Sequence, residues 1–460
     1  MANDTFYALS TIAGKSGVAI IRLSGPESAR VIKDMGYNST PSPRVATFHQ
    51  LRAPGKKEVL DEIIFIYFKA PHSFTGEDVL ELHLHGSKAV IKDALSALSS
   101  LSYLRMAEPG EFSRQAFLNG KMDLTQAEGL AELIEAETSI QRQVALRQMG
   151  GEVASLYSQW RQQIITMLSS MEALIDFPGD DIPQSTLALV KHQVDSLVKD
   201  ITNHLSIGND LTALADGIKI VISGPPNAGK SSLMNYIARS EVAIVSDIAG
   251  TTRDIIHVKF DLAGFPLILT DTAGIRNGST DVIEQKGIFI AKRAAMSANI
   301  NIVVLAANQN NDAFIKDNPQ LFTEQTIVLF NKVDALPPPQ MKILENDLSE
   351  MKNGQMQKCL ALLPISVNEN YGIYLLLDTL KEAVADRYTP SDEPLLTKTR
   401  YREALELCKS HLLQVDPYTP MLDISAEELR MAATAIGQIT GQVKLDEILD
   451  QVFSSFCIGK

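Results

Sequence analysis

Residues 218–235 read IKIVISGPPNAGKSSLMN, and this stretch decides the fold of the middle of the chain. Residues 218–223 carry the apolar-rich pattern of a buried strand. They run into Gly224-Pro225-Pro226-Asn227-Ala228-Gly229-Lys230-Ser231, a GxxxxGKS loop, and then into helix-like Ser232-Leu233-Met234-Asn235. In that strand–loop–helix context the glycines let backbone N–H groups converge on phosphate oxygens. Lys230 would reach the β- and γ-phosphates, Ser231 would ligate Mg²⁺, and the helix N-terminus adds its dipole. Asn227, Ala228, Gly229, Lys230, Ser231 and Ser232 are therefore candidate nucleotide contacts.

Further along, Asp271-Thr272-Ala273-Gly274 follows the apolar run 267–270. The aspartate can hold the water shell of a magnesium ion, and the glycine N–H can sense a γ-phosphate. Asn331-Lys332-Val333-Asp334 follows a second apolar run, 326–330. A carboxylate at Asp334 can accept both N1–H and the 2-amino group of guanine. Adenine lacks those donors and would leave the carboxylate unpaired, so this pattern selects GTP over ATP. Ser366-Val367, after residues 362–365, is the expected last base-contacting loop. Between the first two motifs lies Ser246-Asp247-Ile248-Ala249-Gly250-Thr251-Thr252-Arg253-Asp254, with Thr252 as the expected second Mg²⁺ ligand. Arg253 reads as a surface charge pairing with Asp254. Many GTPases place Gln directly after the DTAG glycine to orient the attacking water. Here that position is Ile275, which cannot polarise water, so another group must.

Beyond this core, the strand–helix alternation begins after Asp216-Gly217 and ends near Asp386, which predicts a parallel sheet with covering helices. Residues 124–176 read as helical. After the breaker Phe177-Pro178-Gly179, the residues Leu187, Val190, Val194, Leu197, Ile201 and Leu205 recur at three- and four-residue steps, one face of a helix. A linker-like TPSDEP spans 389–394, and helical periodicity returns from Lys398. Helical sequence thus flanks the α/β region on both sides. The simplest reading is one helical domain carrying an insertion; two unrelated helical domains are the alternative.

The first 120 residues mix short strands and helices. Ala19, Ile21 and Leu23 alternate with Ile20 and Arg22, residues 62–68 (EIIFIYF) read as a buried strand, and residues 79–85 (VLELHLH) place Val79, Glu81, His83 and His85 on one face against Leu80, Leu82 and Leu84. The polar face reads either as a solvated strand face or as a site. Two histidines at i,i+2 without further ligands make a weak metal pattern.

The 460 residues are too many for one ordinary core. The net charge of −13 argues against coating nucleic acid through bulk positive charge. No apolar run approaches the roughly 20 residues that span a bilayer, and MANDTFYALS does not read as a signal peptide, so a cytoplasmic location is expected. Cys359, Cys408 and Cys457 are too scattered for a disulfide frame.

GPPNAGKSS, SDIAGTTRD, DTAGIR, NKVD, the N-terminal SFTGEDVLELHLHG (73–86) and PGEFSRQAFLNGKMDLTQAE (109–128), and the final Cys457-Ile458-Gly459-Lys460 together resemble the MnmE (TrmE) family of tRNA-modification GTPases, over essentially the whole chain. The departures are HLHGS where HGG is usual, Ser366-Val367 for Ser-Ala, and AGKSG at 13–17. The resemblance implies a multidomain α/β and α+β protein. Its parts are an α+β folate-binding and dimerisation domain (1–120), a helical domain (121–215 and 386–460), and an inserted Ras-like P-loop GTPase domain (216–385). It implies K⁺-dependent GTP hydrolysis activated by G-domain dimerisation, with Asn227, Ser246, Ile248 and Thr251 around the K⁺. On residue type alone Asn227 reads first as a turn residue. It also implies Glu284 as the water-orienting group, where sequence alone reads a solvated charge. Arg22, Glu81, Lys121 and Lys460 would contact 5,10-methylene-tetrahydrofolate or a related reduced folate. Cys457 would act in the chemistry, or its segment would serve docking. The implied partners are a second copy, an FAD-containing protein (MnmG, or GidA) in a heterotetramer or larger complex, and tRNA. The implied product is a carboxymethylaminomethyl or aminomethyl group on C5 of a wobble uridine. An assembly GTPase acting on ribosomal components, or a helical scaffold with incidental GTPase activity, would share the G motifs. Neither needs the folate-like segments or the CIGK end.

Overall fold

A computed structural model describes residues 4–176, 184–207, 212–240, 243, 257–271, 298–354, 356–389, 396, 398–443 and 446–460. The chain divides into two compact units. One comprises Met1–Ala131, Gln148–Asp195 and Leu407–Lys460; the other comprises Glu132–Arg147 and Ser196–Glu406.

The first unit holds a six-stranded sheet built from β1 (Thr5–Leu9), β2 (Ser16–Ser24), β3 (Thr47–Arg52), β4 (Val59–Phe68), β5 (Val79–Gly86) and β6 (Leu104–Met106). The spatial order is β3-β4-β5-β2-β1-β6, antiparallel except for β6 beside β1. The period-two alternation decides its faces. Ile21 and Leu23 of β2 and Leu80, Leu82 and Leu84 of β5 are buried, and they pack with Val31, Ile32, Ala94 and Leu98 of the helices Ser28–Asp34 and Lys88–Ser99. Each fully buried valine, leucine or isoleucine of this set contributes roughly 1.5–3 kcal/mol. Arg22, Glu81 and His83 consequently stand on the opposite face, half-buried.

The helical stretch expected over 124–176 is three helices, Leu124–Glu135, Ser139–Met149 and Glu152–Asp176. Thr138 interrupts the first pair by capping, accepting from Gln141 N at 3.3 Å, and Gly151 at φ +86° interrupts the second. In Glu152–Asp176 the residues Val153, Tyr157, Trp160, Ile164, Met167 and Met171 form one buried stripe. This helix packs along Leu422–Thr440, whose Leu429, Ala432, Ile436 and Ile439 are buried. A Cβ on Gly437 would lie 2.8 Å from Val443 Cγ2 and 3.0 Å from Arg161 Nε, so a larger residue there would have to displace these side chains. Arg430 Nη2 to Glu172 Oε1 (2.8 Å) and Arg161 Nη1 to Gln442 Oε1 (2.9 Å) close the pair at its rim.

The second unit holds β7 (Ile218–Ser223), β8 (His257–Leu262), β9 (Phe265–Asp271), β10 (Ile300–Ala306), β11 (Thr326–Asn331) and β12 (Ala361–Pro364), in the order β12-β11-β10-β7-β9-β8. Five strands are parallel, as the alternation predicts. β8 is antiparallel to β9 because Ala263 and Gly264, at φ +56° and +92°, turn the chain too tightly for a crossover. Central β10 and β11 are buried on both faces, which is why they are mostly apolar, with Asn301 the polar residue inside β10. One face packs with helices Lys230–Ala238 and Ile373–Tyr388 through Leu233, Ile237, Leu376, Leu380 and Val384. The other packs with Asp312–Asp317 and Pro338–Asn353 through Phe314, Leu344 and Leu348. Helix Ser139–Met149 belongs to this unit as far as Arg147. Val144 enters its core, Ile140 N donates to Gly264 O (3.3 Å), and Glu137 pairs with Lys259 (2.9 Å).

Candidate functional site

The parallel sheet brings three motif loops to the carboxyl ends of β7, β11 and β12, the crevice where open α/β sheets bind ligands. Between β7 and the helix Lys230–Ala238, Gly224 and Gly229 take φ +139° and +101°. A Cβ on Gly224 would lie 2.1 Å from Val304 O, and one on Gly229 2.1 Å from Asn331 Nδ2. Both positions therefore need glycine for backbone conformation and for close approach. Asn227 also takes a left-handed φ of +60°, and Ala228 is fully buried. Lys230 opens the helix, and its ammonium donates to Gly224 O (3.0 Å) and Pro225 O (2.7 Å), so it is folded into the loop's own mouth. Ser231 and Ser232 follow on the exposed side of that helix.

Asn331 ties the three loops together. Its Nδ2 donates to Ala228 O (2.9 Å) in the glycine loop, and its Oδ1 accepts from Val367 N (3.3 Å) after β12. The side chain is 3% exposed, so removing it would leave buried partners unmet. Lys332, at φ +69°, donates its ammonium to Asn227 O at 2.6 Å. Asp334 is exposed, and its Oδ1 accepts from Ser366 Oγ at 2.6 Å. Ser366 Oγ in turn accepts from Glu369 N at 3.1 Å, and Tyr236 OH donates to Asn370 Oδ1 at 2.6 Å. Sequence reading placed Asn331 in the guanine-selecting NKVD motif. Its bridging of glycine loop and terminal loop joins residues 103 and 36 positions apart, which no local pattern reports.

Asp271 ends β9, with β9 in parallel register along β7. Thr272, Ala273 and Gly274, the segment containing Ser246, Asp247, Ile248, Ala249, Gly250, Thr251 and Thr252, and Glu284 lie outside the described residues.

A second constellation lies on the open face of the antiparallel sheet. Arg22 and Glu81 are cross-strand partners; Arg22 Nε and Nη2 reach Glu81 Oε1 at 3.0 and 2.9 Å. The guanidinium lies 5.5 Å from the Phe74 ring centroid and 5.8 Å from that of Phe112, two aromatic contacts that sequence reading missed. Beside it Ser24 Oγ meets Thr75 Oγ1 (2.7 Å), and Glu77 accepts from Ser24 (3.2 Å) and Gln115 (3.0 Å). Burial pushes the Glu77 carboxyl above its usual range against those hydrogen bonds. Lys121 is exposed and donates to Pro71 O (3.0 Å), on the same 71–77 loop that carries Phe74. The CIGK segment reaches this unit too. Ser10 Oγ donates to Gly459 O (3.0 Å), Ile458 bridges Pro109, and a Cβ on Gly459 would lie 2.4 Å from Leu9 O. Cys457 is exposed, while Cys359 and Cys408 are buried. Arg22 and Glu81 are thus in contact. Lys121 and Lys460 lie on segments that flank the same sheet without bonding to that pair. Among the described residues no cluster of His, Cys, Asp or Glu could hold a metal ion. No described helix is long and apolar enough to cross a membrane.

Two family models match the chain. One, described as the GTP-binding protein TrmE N-terminus, covers residues 5–121; the other, described as the MnmE helical domain, covers residues 124–457. A protein named tRNA modification GTPase MnmE from Rickettsia prowazekii is 41% identical over 99% of this chain and 100% of its own length. The protein of the same name from Rickettsia bellii is likewise 41% identical over 99% of this chain. Among solved structures, Era in complex with MgGDPNP and a 16S ribosomal RNA fragment overlaps 42% of this chain and 66% of its own, at 25% identity and a TM-score of 0.30. The assignment rests on the full-length relatives: this chain belongs to the MnmE family of tRNA modification GTPases.

Proposed function

We propose that the chain is a GTP hydrolase acting in tRNA modification. The observation that supports this most directly is the convergence of the glycine loop, NKVD and Ser366 loops through Asn331. The glycine loop fits a polyphosphate: it has the backbone geometry that only glycines allow, a helix N-terminus and an ammonium within the loop. Asp334, oriented by Ser366, fits the donor edge of guanine. Ser231, with Thr252, would hold Mg²⁺, and Asn227, with Ser246, Ile248 and Thr251, would hold K⁺. Such cations supply charge neutralisation on the phosphates. Glu284 is the proposed water-orienting residue, and pairing of two G domains the proposed activating event. The purified full chain should hydrolyse GTP and leave ATP, and should do so faster in K⁺ than in Na⁺ buffer. Equal use of both nucleotides would refute the guanine reading, and equal rates in both salts the potassium reading.

The open sheet face is the proposed site of a reduced folate, which would supply the one-carbon unit. The Arg22–Glu81 pair fits such a ligand, because a carboxylate held by a guanidinium retains acceptor capacity for ring N–H groups. Lys121 and Lys460 would meet its acidic tail. The same face carries exposed Phe48 and Ile64, which suits burial in a homodimer. The helical domain would carry the GTPase domain as an insertion. An FAD-containing partner would complete the modification at C5 of the wobble uridine in the cytoplasm, with Cys457 as a candidate participant. Mass analysis of wobble uridines in tRNA from cells lacking this protein tests the whole scheme, and an unchanged spectrum would overturn it.

A further inference from the structure

Register on the antiparallel sheet sets His83 one row from the Arg22–Glu81 pair. Its cross-strand neighbours are Ile20 and Ile64, and Phe48 lies beyond Ile64. Neither flanking isoleucine offers a hydrogen bond. His83 Nε2 is buried and has no hydrogen-bond partner among the described residues. The nearest complementary atom is Glu81 Oε2 at 3.5 Å, at the limit of a hydrogen bond, while Glu81 Oε1 is taken by Arg22. A polar ring nitrogen enclosed beside a carboxylate and walled by aliphatic groups is costly unless a ligand meets it.

The two groups together define a pattern. The carboxylate accepts, and the adjacent ring nitrogen, as Nε2–H, donates. A 2-amino-4-oxo pyrimidine edge presents the complement in the same order: amino N–H, ring N–H, then carbonyl oxygen. We propose that His83 is a specificity-determining residue of this chain, donating from Nε2 to the 4-oxo group of the ligand ring while Glu81 accepts from the neighbouring N–H groups. The inference rests on the reduced-folate reading of this face and adds which edge of the ring is read, and by what.

Guanine carries the same edge, so the test is run on full-length protein saturated with GDP. Tetrahydrofolate and its 4-amino analogue, in which a donor replaces the oxo acceptor, are titrated anaerobically against wild type, His83→Ala and His83→Gln. His83→Ala should weaken tetrahydrofolate about tenfold and leave the 4-amino analogue within about threefold, so their ratio shifts about tenfold. His83→Gln, whose amide can still donate, should hold tetrahydrofolate within about threefold of wild type. Equal losses for both ligands, or no loss in His83→Ala, would overturn the role of His83 while the folate reading stands. Failure of wild type to bind either ligand would overturn that reading and this inference with it. Should His83→Ala not fold, His83→Phe, which keeps a ring and removes the donor, takes its place in the same comparison.

Discussion

The parallel sheet and the antiparallel sheet build their candidate sites from different atoms. At the ends of β7, β11 and β12 the site is framed by a backbone loop, held in shape by glycines and by Asn331, to which Lys230 and Asp334 add charged side chains. On the open face of β2 and β5 it is made of side chains, Arg22 meeting Glu81 across the strands and His83 standing beside Glu81 on β5. A backbone site needs contiguous residues of particular conformational freedom, so it leaves a motif in the sequence. A cross-strand site needs only register, and its residues lie far apart.

That contrast can be broken most forcefully at Lys230. Its replacement by alanine removes the one charge within the glycine loop and should lower GTP turnover by about 10²–10³-fold, read by phosphate release, with reduced-folate binding unchanged. A parallel loss of folate binding would show that the two constellations do not act as separate sites. On the other sheet, Glu81→Gln leaves Arg22 without its counter-charge and should weaken reduced folate roughly 10–100-fold by titration while sparing GTP affinity. Asn331→Ala sharpens the comparison within the backbone site. It deletes two bonds between loops and should cost about 1–2 kcal/mol of GTP affinity, roughly tenfold, without touching Lys230 or Asp334. Wild-type affinity in that variant would mean the loops hold their shape without the bridge.

The smallest expected effect tests stability away from both sites. Burial, and secondarily the Arg402 charge, lowers the His204 pKa to about 4, from 6.5. The folded state therefore favours neutral imidazole. The resulting stability is full above pH 6.5 and drains as pH falls towards 4, because the unfolded chain binds the proton first. Between pH 7.5 and 6 the loss is on the order of 1 kcal/mol, seen as a fall in denaturation midpoint. His204→Gln should flatten that dependence, and an unchanged slope would assign it to other groups.

Sequence reading reached the parallel sheet, the loop positions and the two faces of β5 because each leaves a local signature: strand into glycine loop into helix, or strict alternation. It did not reach the β8–β9 hairpin, whose Ala263-Gly264 turn is a weaker signal than Asn-Gly. Nor did it reach Phe74 and Phe112 beneath Arg22, which are separated from it by 52 and 90 positions and carry no periodic relation to it. The breaks at Thr138 and Gly151 divide a run that composition alone presents as continuous helix.

Residues 177–421 form the loop between the packed helices Glu152–Asp176 and Leu422–Thr440. Bringing such distant segments together costs chain entropy that grows with the logarithm of loop length. Any structure already formed inside the loop that shortens its effective length tenfold lowers that cost by about 2 kcal/mol. The helical seam should therefore close late in refolding, after the parallel sheet has formed. Nature has left a reporter in place, since Trp160, the chain's single tryptophan, lies on the buried stripe of the first helix. Its fluorescence should follow the slow closing phase, while hydrogen-exchange protection of β10 and β11 should appear earlier.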